Sequence, residues 1–469
     1  MEVRVVIKSD FGHAMARLDA EFMAPSLTAD ELYLRTKPGR EVHQLGLAAS
    51  TNWKSMPKSS QTSSVSYIDI DSVDTDDGVA YPDLLLTEDL PSRAQYVVAP
   101  LDILISNVRP NRGGVSLMGG WSTGAVASSG FTLLRLAPEC ELTPEYLFSF
   151  LRSRFGRVQL IRRTRGSMYP AVTEGDVKEL WIVSPTPAIA EGTLQCIHSA
   201  LEYQREFFKQ VNRAEERFAL FLAPYGAPPD PVQTHTPSVV WASVKAREML
   251  GQQGQQRLDA EFFRPEYAVF EKRCKSLGQF FYLGDHFDLF PGGGFKSGED
   301  EVPCVKQGIL TNYGINWSAI AVEQAAWPAS GRVKAGDILL ACAAHEIFYV
   351  GRKVDYVRAI PSNLSKNVCV SDVLIIRAKS PEGAELAPYV STFLRHPAGL
   401  YQVQRCIRGL RGGHVYKDDL ARMVIVPKPD GETLNELNGL TAAIESSRNS
   451  SKEQVRKAIS IVESYCASL

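Results

Sequence analysis

The chain has 469 residues, of which 44% are hydrophobic and 22% charged, and its formal net charge is −2 at pH 7. This composition is that of an ordinary globular protein and argues against a globally basic nucleic-acid binder. The sequence contains neither a signal-peptide core nor a stretch of eighteen apolar residues, so we expect a cytoplasmic protein without a transmembrane helix. Its eight cysteines include no C-x-x-C pair, which favours buried free thiols over a zinc site.

Several strings of residues occur twice, in the same order. RLDAEF occupies 17–22 and 257–262, and each copy is followed by a proline, Pro25 or Pro265. Asp102-Ile-Leu-Ile is matched by Asp337-Ile-Leu-Leu, and Phe150-Leu-Arg by Phe393-Leu-Arg. A period of about 240 residues is far too long for a solenoid repeat, so it indicates two copies of one whole domain. Two copies of one reading domain predict a ligand that itself has two parts.

Within each copy the elements follow one order. A short strand (3–7; 239–241) precedes the RLDAEF string, and a region of short apolar runs between Gly, Pro, Asp and Ser clusters predicts further strands. The predicted strands include 67–70, 96–98, 102–106, 302–306, 337–341 and 373–376. An amphipathic helix then runs over 144–163 or 388–405, and a closing strand begins near Trp181 or Val424.

A long helix with one apolar seam follows each closing strand. In the first helix the seam residues are Leu194, Ile197, Leu201, Phe208, Val211, Phe218 and Leu222, with Gln204 and Glu215 as polar interruptions. In the second helix they are Leu434, Leu437, Ile444, Val455, Val462 and Tyr465, with a polar middle around Arg448 to Lys452. Alternating three- and four-residue steps are typical of a coiled coil, and the simplest partner for each helix is the other, packed antiparallel.

These elements predict an α+β protein with pseudo-twofold symmetry, in which two similar recognition domains are each followed by a long helix. The predicted boundaries are a first domain over 1–186, a coiled-coil helix over 187–222, a proline-rich linker over 223–238, a second domain over 239–429 and a second coiled-coil helix over 430–469.

The chain resembles the specificity subunits of type I restriction–modification systems. The resemblance rests on the duplicated RLDAEF-x-x-P strings, the DILI strand with its basic loop, and the closing strand before each long helix. The resemblance covers nearly the whole chain. It implies a non-catalytic subunit whose two target recognition domains each read one half of a split sequence in double-stranded DNA. It also implies that the helices set the spacing and dock two methyltransferase subunits, which would carry S-adenosylmethionine, and that restriction motor–nuclease subunits join them. The chain itself would hold no cofactor and no metal.

Two kinds of segment are candidates for contact with DNA. Basic residues gather at equivalent places in both copies, and the candidates there are Arg162, Arg163 and Arg165 in the first, and Arg405, Arg408, Arg411 and His414 in the second. The alternative is a solvated helix face, which duplication makes less attractive. The loop after the DILI strand offers Arg109, Asn111 and Arg112, and its counterpart offers His345. Arginines and amides suit guanine and adenine edges, although plain loop drift would also explain the difference between the copies.

No catalytic constellation is evident. An acidic run over 69–77 lacks the glycine and terminal glutamate of a calcium loop and is predicted to be a solvated turn. Three alternatives stay open: a specificity factor of another phage-defence system, an enzyme with an unrecognised nuclease or methyltransferase site, and a coiled-coil scaffold that binds only protein.

Overall fold

The computed structural model describes residues 25–36, 41–50, 64–137, 140–166, 169–226, 265–293, 296–326, 331–344, 349–409 and 413–469. Both RLDAEF strings and the strands predicted at 3–7 and 239–241 lie outside these ranges. The chain divides into two compact units, Met1–Phe207 with Ser447–Leu469, and Phe208–Ser446. Each unit therefore combines one predicted recognition domain with part of both long helices.

The first unit contains short strands and helices in the predicted order. Its strands are β1 Val42–Gln44, β2 Ala49–Ser50, β3 Ser64–Ile68, β4 Asp83–Leu86, β5 Ala94–Val97, β6 Ile103–Ser106, β7 Val115–Leu117, β8 Val126–Ser128, β9 Phe131–Leu136 and β10 Trp181–Val183. Its helices before the long one are α1 Pro25–Thr36, α2 Leu45–Ala48, α3 Pro144–Arg152, α4 Arg154–Arg162 and α5 Glu174–Lys178.

The second unit follows the same plan. Its strands are β11 Phe280–Tyr282, β12 Phe287–Pro291, β13 Lys296–Val305, β14 Ala321–Ala326, β15 Ile338–Ala341, β16 Ala343–Ala344, β17 Val354–Tyr356, β18 Val368–Cys369, β19 Val373–Ala378, β20 Ile407–Arg408, β21 Gly413–Val415 and β22 Ile425–Pro427. Its helices are α7 Pro265–Leu277, α8 Leu283–His286, α9 Pro381–Arg395, α10 Pro397–Arg405 and α11 Lys417–Met423. The long helices are α6 Pro187–Leu222 and α12 Gly431–Ser468.

The two units share a sheet topology. A four-stranded sheet of order β2-β9-β6-β7 in the first unit is matched by β12-β19-β15-β17 in the second. A parallel pair, β3 with β8, is matched by β13 with β18, and the closing pair β1–β10 by β11–β22. The sequence repeat is thus a repeat of fold, and the predicted α+β class with its duplication is confirmed.

The amphipathic helix predicted over 144–163 is two helices, because the chain turns sharply at Ser153. Ser153 ends α3 and caps α4, and its side chain accepts a hydrogen bond from the Gly156 N–H. A side chain at Gly156 would bring a Cβ within 2.4 Å of the Phe150 carbonyl oxygen. The second unit makes the same break at His396, and Gly399 is held equally close to Phe393. Glycine is needed here for close approach rather than for a positive φ.

The long helices pair antiparallel in each unit, as predicted. In the first unit Gly192 lies against Ile461, and the Gln204 side-chain amide donates to the Ser451 hydroxyl at 3.3 Å. In the second unit Arg217 forms an ion pair with Glu436. Residues of increasing number along α6 contact residues of decreasing number along α12, so the two helices run antiparallel.

The seam of α6 is shifted by one residue from parts of the prediction. Its buried residues are Thr193, Ile197, Ala200, Gln204 and Phe207 in the first unit, and Val211, Ala214, Phe218 and Leu222 in the second. Leu194, Leu201 and Phe208, which were predicted to lie in the seam, are only half-buried and flank it. The prediction weighted apolar size, whereas close helix packing favours small residues at the contact. On α12 the predicted seam residues Leu434, Leu437, Ile444, Val455 and Val462 are buried, and the sixth, Tyr465, is half-buried.

The second half of the acidic run, Asp74 to Asp77, is not a solvated turn, which corrects the prediction there, whereas Asp71 in the first half is exposed. Asp77 is fully buried and Asp74 nearly so, because α12 covers them with basic side chains one helical turn apart. Arg448 forms an ion pair with Asp74 and lies 3.7 Å from Asp77. Lys452 reaches Asp76 at 2.8 Å. The polar middle of α12 is therefore buried, because its basic side chains pair with carboxylates of the acidic run.

Two further arginines complete this cluster, which we call the charge clamp: Asp74, Asp76 and Asp77 with Arg152, Arg448, Lys452 and Arg456. Arg456 contacts Asp76 at 3.0 Å from the solvent side. Arg152, at the end of α3, donates to the Thr75 and Asp76 carbonyl oxygens at 3.0 and 2.8 Å. Burial, with the neighbouring Asp74 carboxylate, raises the pKa of Asp77 to about 7, although Arg448 and Lys452 oppose the shift.

All eight cysteines are free, six of them buried and Cys140 and Cys196 half-buried, as predicted. In the part of the chain that the structure describes, no helix is both long and apolar enough to cross a membrane.

Replacing Arg448 by Ala should destabilise the first unit by about 3–5 kcal/mol, because it leaves buried carboxylates without their partner. Arg217→Ala is the matched control, since it breaks an inter-helix ion pair that solvent reaches and should cost much less stability. Denaturant unfolding of both variants measures the difference. Equal losses would show that the clamp contributes no more than a surface pair.

The clamp also predicts a pH dependence. Because the folded-state pKa of Asp77, about 7, lies above its ordinary value of 3.8, the folded state holds the proton more tightly. Stability should therefore fall as pH rises from about 4 to 7. Asp77→Asn removes this dependence, so its stability relative to wild type should be higher at pH 8 than at pH 5, by up to ~3 kcal/mol. Denaturant unfolding at both pH values tests this, and a difference that does not change with pH would contradict it.

Candidate nucleic-acid interface

The loop after β6 and the turn after α4 lie together in the first unit. Val108 and Ala171 form an antiparallel bridge, and Ala171 bridges Arg165 in turn. The Arg109 N–H donates to the Pro170 carbonyl oxygen at 2.7 Å. The loop after β6 and the turn after α4, which were separate candidates in the sequence, thus form one small surface that we call the first platform. It comprises the chain around Val108, Arg165 and Ala171.

The second unit builds the same platform as a short sheet. Strand β21 lies between β16 and β20, with Ala343 and Arg408 both paired to His414. The His414 ring makes an edge contact with Tyr416, and the Arg408 guanidinium lies 5.8 Å from the centre of that tyrosine ring. We call this arrangement the second platform.

Arg162 and Arg163 do not face outward, which corrects their assignment to a DNA surface. Their side chains are only 7% and 5% exposed, and both pair with Glu31 of α1, at 2.8 and 2.9 Å. Burial by itself would raise the pKa of Glu31, but Arg163 and Arg162 outweigh it and hold that pKa below its ordinary value. A guanidinium group committed to a buried carboxylate has no surface to offer a phosphate, so these residues join α4 to α1.

The remaining duplicated arginines are also paired with carboxylates. Arg405 reaches Glu271 of α7 at 3.2 Å, in the position that Arg162 and Glu31 occupy in the first unit. Arg165 with Asp176 and Arg408 with Asp419 are a second equivalent pair, at 2.9 and 2.8 Å. Arg165 and Arg408 keep about two-fifths of their side chains exposed and border the platforms.

Arg152 and Arg395, which the sequence counted among the basic residues, are a third equivalent set. Arg395 donates to the Asn312 carbonyl oxygen and lies 4.0 Å from the buried Asp355. Arg152 plays the corresponding part in the charge clamp. Each of these three equivalent pairs of arginines therefore has a duplicated internal contact.

The arginines of the loop after β6 differ from these paired residues. Arg109 and Arg112 form no ion pair with any carboxylate that the structure describes. Asn111 and Arg112 are exposed, on a turn that begins at Pro110. Exposed Arg157 of α4 donates to the Asn111 carbonyl oxygen at 2.6 Å and supports that turn. These cations are available to an anion at the edge of the first platform.

Two aromatic residues at the platforms escaped the sequence analysis. Tyr169 is 67% exposed and Tyr416 is 51% exposed. Each lies beside an arginine, since Arg109 is 5.3 Å from the centre of the Tyr169 ring. An aromatic residue next to a predicted basic turn was the available signal in both cases. Exposed aromatic rings with neighbouring cations suit flat, anionic ligands.

Two of the candidate residues, His345 and Arg411, lie outside the described residues. His414 is half-buried in the central strand of the second platform. No group of three His, Cys, Asp or Glu side chains that could hold a metal ion occurs within the described ranges.

Three solved structures are similar to this chain. The HsdS subunit from Thermoanaerobacter tengcongensis is 18% identical, with 91% of this chain and 96% of that chain covered at a TM-score of 0.33. The type I restriction–modification S subunit from M. genitalium is 9% identical, with 92% and 97% covered and a TM-score of 0.33. A chain described in work on assembly and conformational transition of the type I R-M system is 19% identical, with 91% and 97% covered and a TM-score of 0.32. No protein-family model and no curated protein matches the chain.

Buried and exposed arginines should respond differently to substitution. Arg163→Ala should lower the free energy of unfolding by about 3 kcal/mol, because it removes a partner from buried Glu31. It should leave the slope of log K against log salt for duplex binding unchanged. Arg112→Ala should change stability by less than about 0.5 kcal/mol and make that slope shallower by about 0.9. Unfolding curves and duplex titrations at several salt concentrations separate the two, and a shallower slope for Arg163→Ala at full stability would reverse the assignment.

Proposed function

We propose that this chain is a non-catalytic subunit that gives a type I restriction–modification complex its DNA sequence specificity. One observation carries the proposal: two units share a topology and a set of internal ion pairs, yet differ in the residues that their platforms expose. Among the described residues, the first platform offers exposed Asn111, Arg112 and Tyr169 beside half-buried Arg109, and the second offers exposed Tyr416 beside half-buried His414. A common scaffold with different exposed residues is what the reading of two unlike half-sites requires.

The platforms contain the types of side chain that duplex DNA recognition uses. Arginine forks match guanine edges and phosphates, amides match adenine, and cations that lack internal partners supply the salt-dependent part of binding. The net charge of −2 limits this attraction to local patches, so the two platforms, and not the whole surface, would face the duplex.

Helices α6 and α12 would act as a spacer between the half-sites. The buried charge clamp in the first unit supports this role, because it fixes the register of the paired helices. A helix pair held in register is stiff and has a length set by its residue count.

Catalysis would belong to partner subunits. Two methyltransferase subunits would bind S-adenosylmethionine and modify an adenine turned out of the duplex, and motor–nuclease subunits would join them in the restricting complex. Large apolar side chains on α6 point away from the seam, with Leu220 64% and Tyr203 40% exposed. Exposed apolar residues on an otherwise polar helix suit a protein partner.

The proposal is tested by selecting binding sites from a pool of random duplexes with the chain and its methyltransferase partner. We expect a motif of two short specified parts separated by unspecified base pairs. Deleting one facing heptad from each long helix, residues 208–214 and 440–446, should shorten the gap by about three base pairs and leave the specified bases unchanged. A continuous motif, or no enriched sequence, would overturn the proposal. Methyl transfer or DNA cleavage by the chain alone would overturn its non-catalytic role.

A further inference from the structure

We propose that Arg109 is a specificity-determining residue of the first platform, and that its guanidinium group, backed by Tyr169, reads a guanine in one half of the target. This inference rests on the proposed function and deepens it. It assigns one base type to one side chain and distinguishes that side chain from neighbouring arginines that contact phosphates.

The backbone at Arg109 is held in a conformation that most residues avoid. Its φ and ψ are 51° and 52°, in the left-handed region, where only Leu101, Arg109 and Asn312 lie among the described non-glycine residues. Such a conformation persists only where the surroundings impose it, and it occurs often at functional sites. Here the hydrogen bond from Arg109 N–H to the Pro170 carbonyl oxygen and the Val108–Ala171 bridge hold the backbone against one neighbouring segment.

The side chain of Arg109 is positioned by an aromatic ring. The guanidinium carbon lies 5.3 Å from the centre of the Tyr169 ring, and this ring is 67% exposed. Contact with an aromatic face occupies one flat side of the guanidinium and leaves its in-plane N–H donors free. Two parallel donors in one plane match the O6 and N7 acceptors on the major-groove edge of guanine.

The neighbouring arginines lack this combination. Arg112 is exposed and has no aromatic contact with a residue that the structure describes, and Arg157 is tied to the Asn111 carbonyl oxygen. Arg165 is paired with Asp176. A mobile exposed cation suits phosphate, whose recognition needs charge more than fixed direction, whereas base reading needs a fixed fork.

The second unit differs at this position. Because Val108 pairs with Ala171 as Ala343 pairs with His414, the residue equivalent to Arg109 is Ala344. Within the described residues, the recurring arginines Arg152, Arg162 and Arg165 have internal partners, and Arg109 does not recur. A residue that reads a base in only one half-site should be found in only one copy of the scaffold.

The experiment uses the target motif obtained by duplex selection with the wild-type chain and its methyltransferase partner. Arg109→Gly is the main variant, because glycine adopts the left-handed backbone without strain and removes only the side chain. Arg109→Lys keeps the charge but lacks the fork, and Arg112→Ala is the matched control for loss of a cation. Binding is measured on the selected duplex and on duplexes with each specified base pair replaced singly, at several salt concentrations.

We expect Arg109→Gly and Arg109→Lys to weaken binding to the selected duplex by about 5- to 150-fold. Discrimination should disappear at one G·C pair of one half-site, and affinity for unrelated duplexes should hardly change. Tyr169→Ala should relax the same position by a smaller factor. Arg112→Ala should weaken binding to all duplexes by a similar factor.

Two results would overturn the assignment. One is an equal loss on every duplex that Arg109→Lys restores, which would make Arg109 a phosphate contact. The other is a selected split motif at which Arg109→Gly discriminates as the wild-type chain does. Both leave the proposed function intact, because they presuppose a split motif. If the wild-type chain selects no split motif, the proposed function fails and the inference fails with it.

Discussion

The structure of the first unit depends on the charge clamp between an acidic loop and helix α12. Arg448, Lys452 and Arg456 follow each other at intervals of one helical turn, and they meet three carboxylates within a four-residue stretch, Asp74 to Asp77. Buried charges are tolerated only when they are paired, so sliding or rotating α12 by one residue would leave several of them alone in the interior. The clamp therefore selects one register for α12. That register places Ser451 opposite Gln204 and seats Val455, Ala458 and Val462 in the core of the unit.

Local patterns predicted the elements of this fold well, because each element carries its own signal. Both long helices were located from apolar spacing, and the structure places α6 at Pro187–Leu222 within the predicted limits. The same spacing failed at the middle of α12, since Arg448 and Lys452 are polar and their partners lie some 375 residues away in sequence. The spacing of apolar residues cannot reveal a helix interface that is formed by ion pairs. The one-residue shift along α6 has a related cause, because Thr193, Ala200 and Ala214 are inside for their small size.

The candidate site shows what duplication can and cannot indicate. Recurrence of arginines at equivalent positions suggested a ligand, yet the recurring residues Arg152, Arg162 and Arg165 each hold the scaffold together through a carbonyl or carboxylate partner. Two copies that read different sequences must share their internal contacts and differ in their external ones. The informative residues are therefore those that lack a counterpart and are not paired with a described carboxylate, of which Arg109 is one. Its stacking on Tyr169 depends on a hydrogen bond between two loops some sixty residues apart, which no spacing in the sequence reveals.

The division of the chain into units has a consequence for synthesis on the ribosome. The second unit is continuous, Phe208–Ser446, whereas the first also needs residues 447–469. At translation rates of 5–20 residues per second, the ribosome needs roughly 10–50 s to pass from one part of the first unit to the other. During that interval the carboxylates of Asp74 and Asp77 have no cations from α12, and the apolar surface that α12 covers is open to water. The unit that is made first is thus finished last, and a product that stops short of residue 447 presents an incomplete first unit to chaperones and proteases.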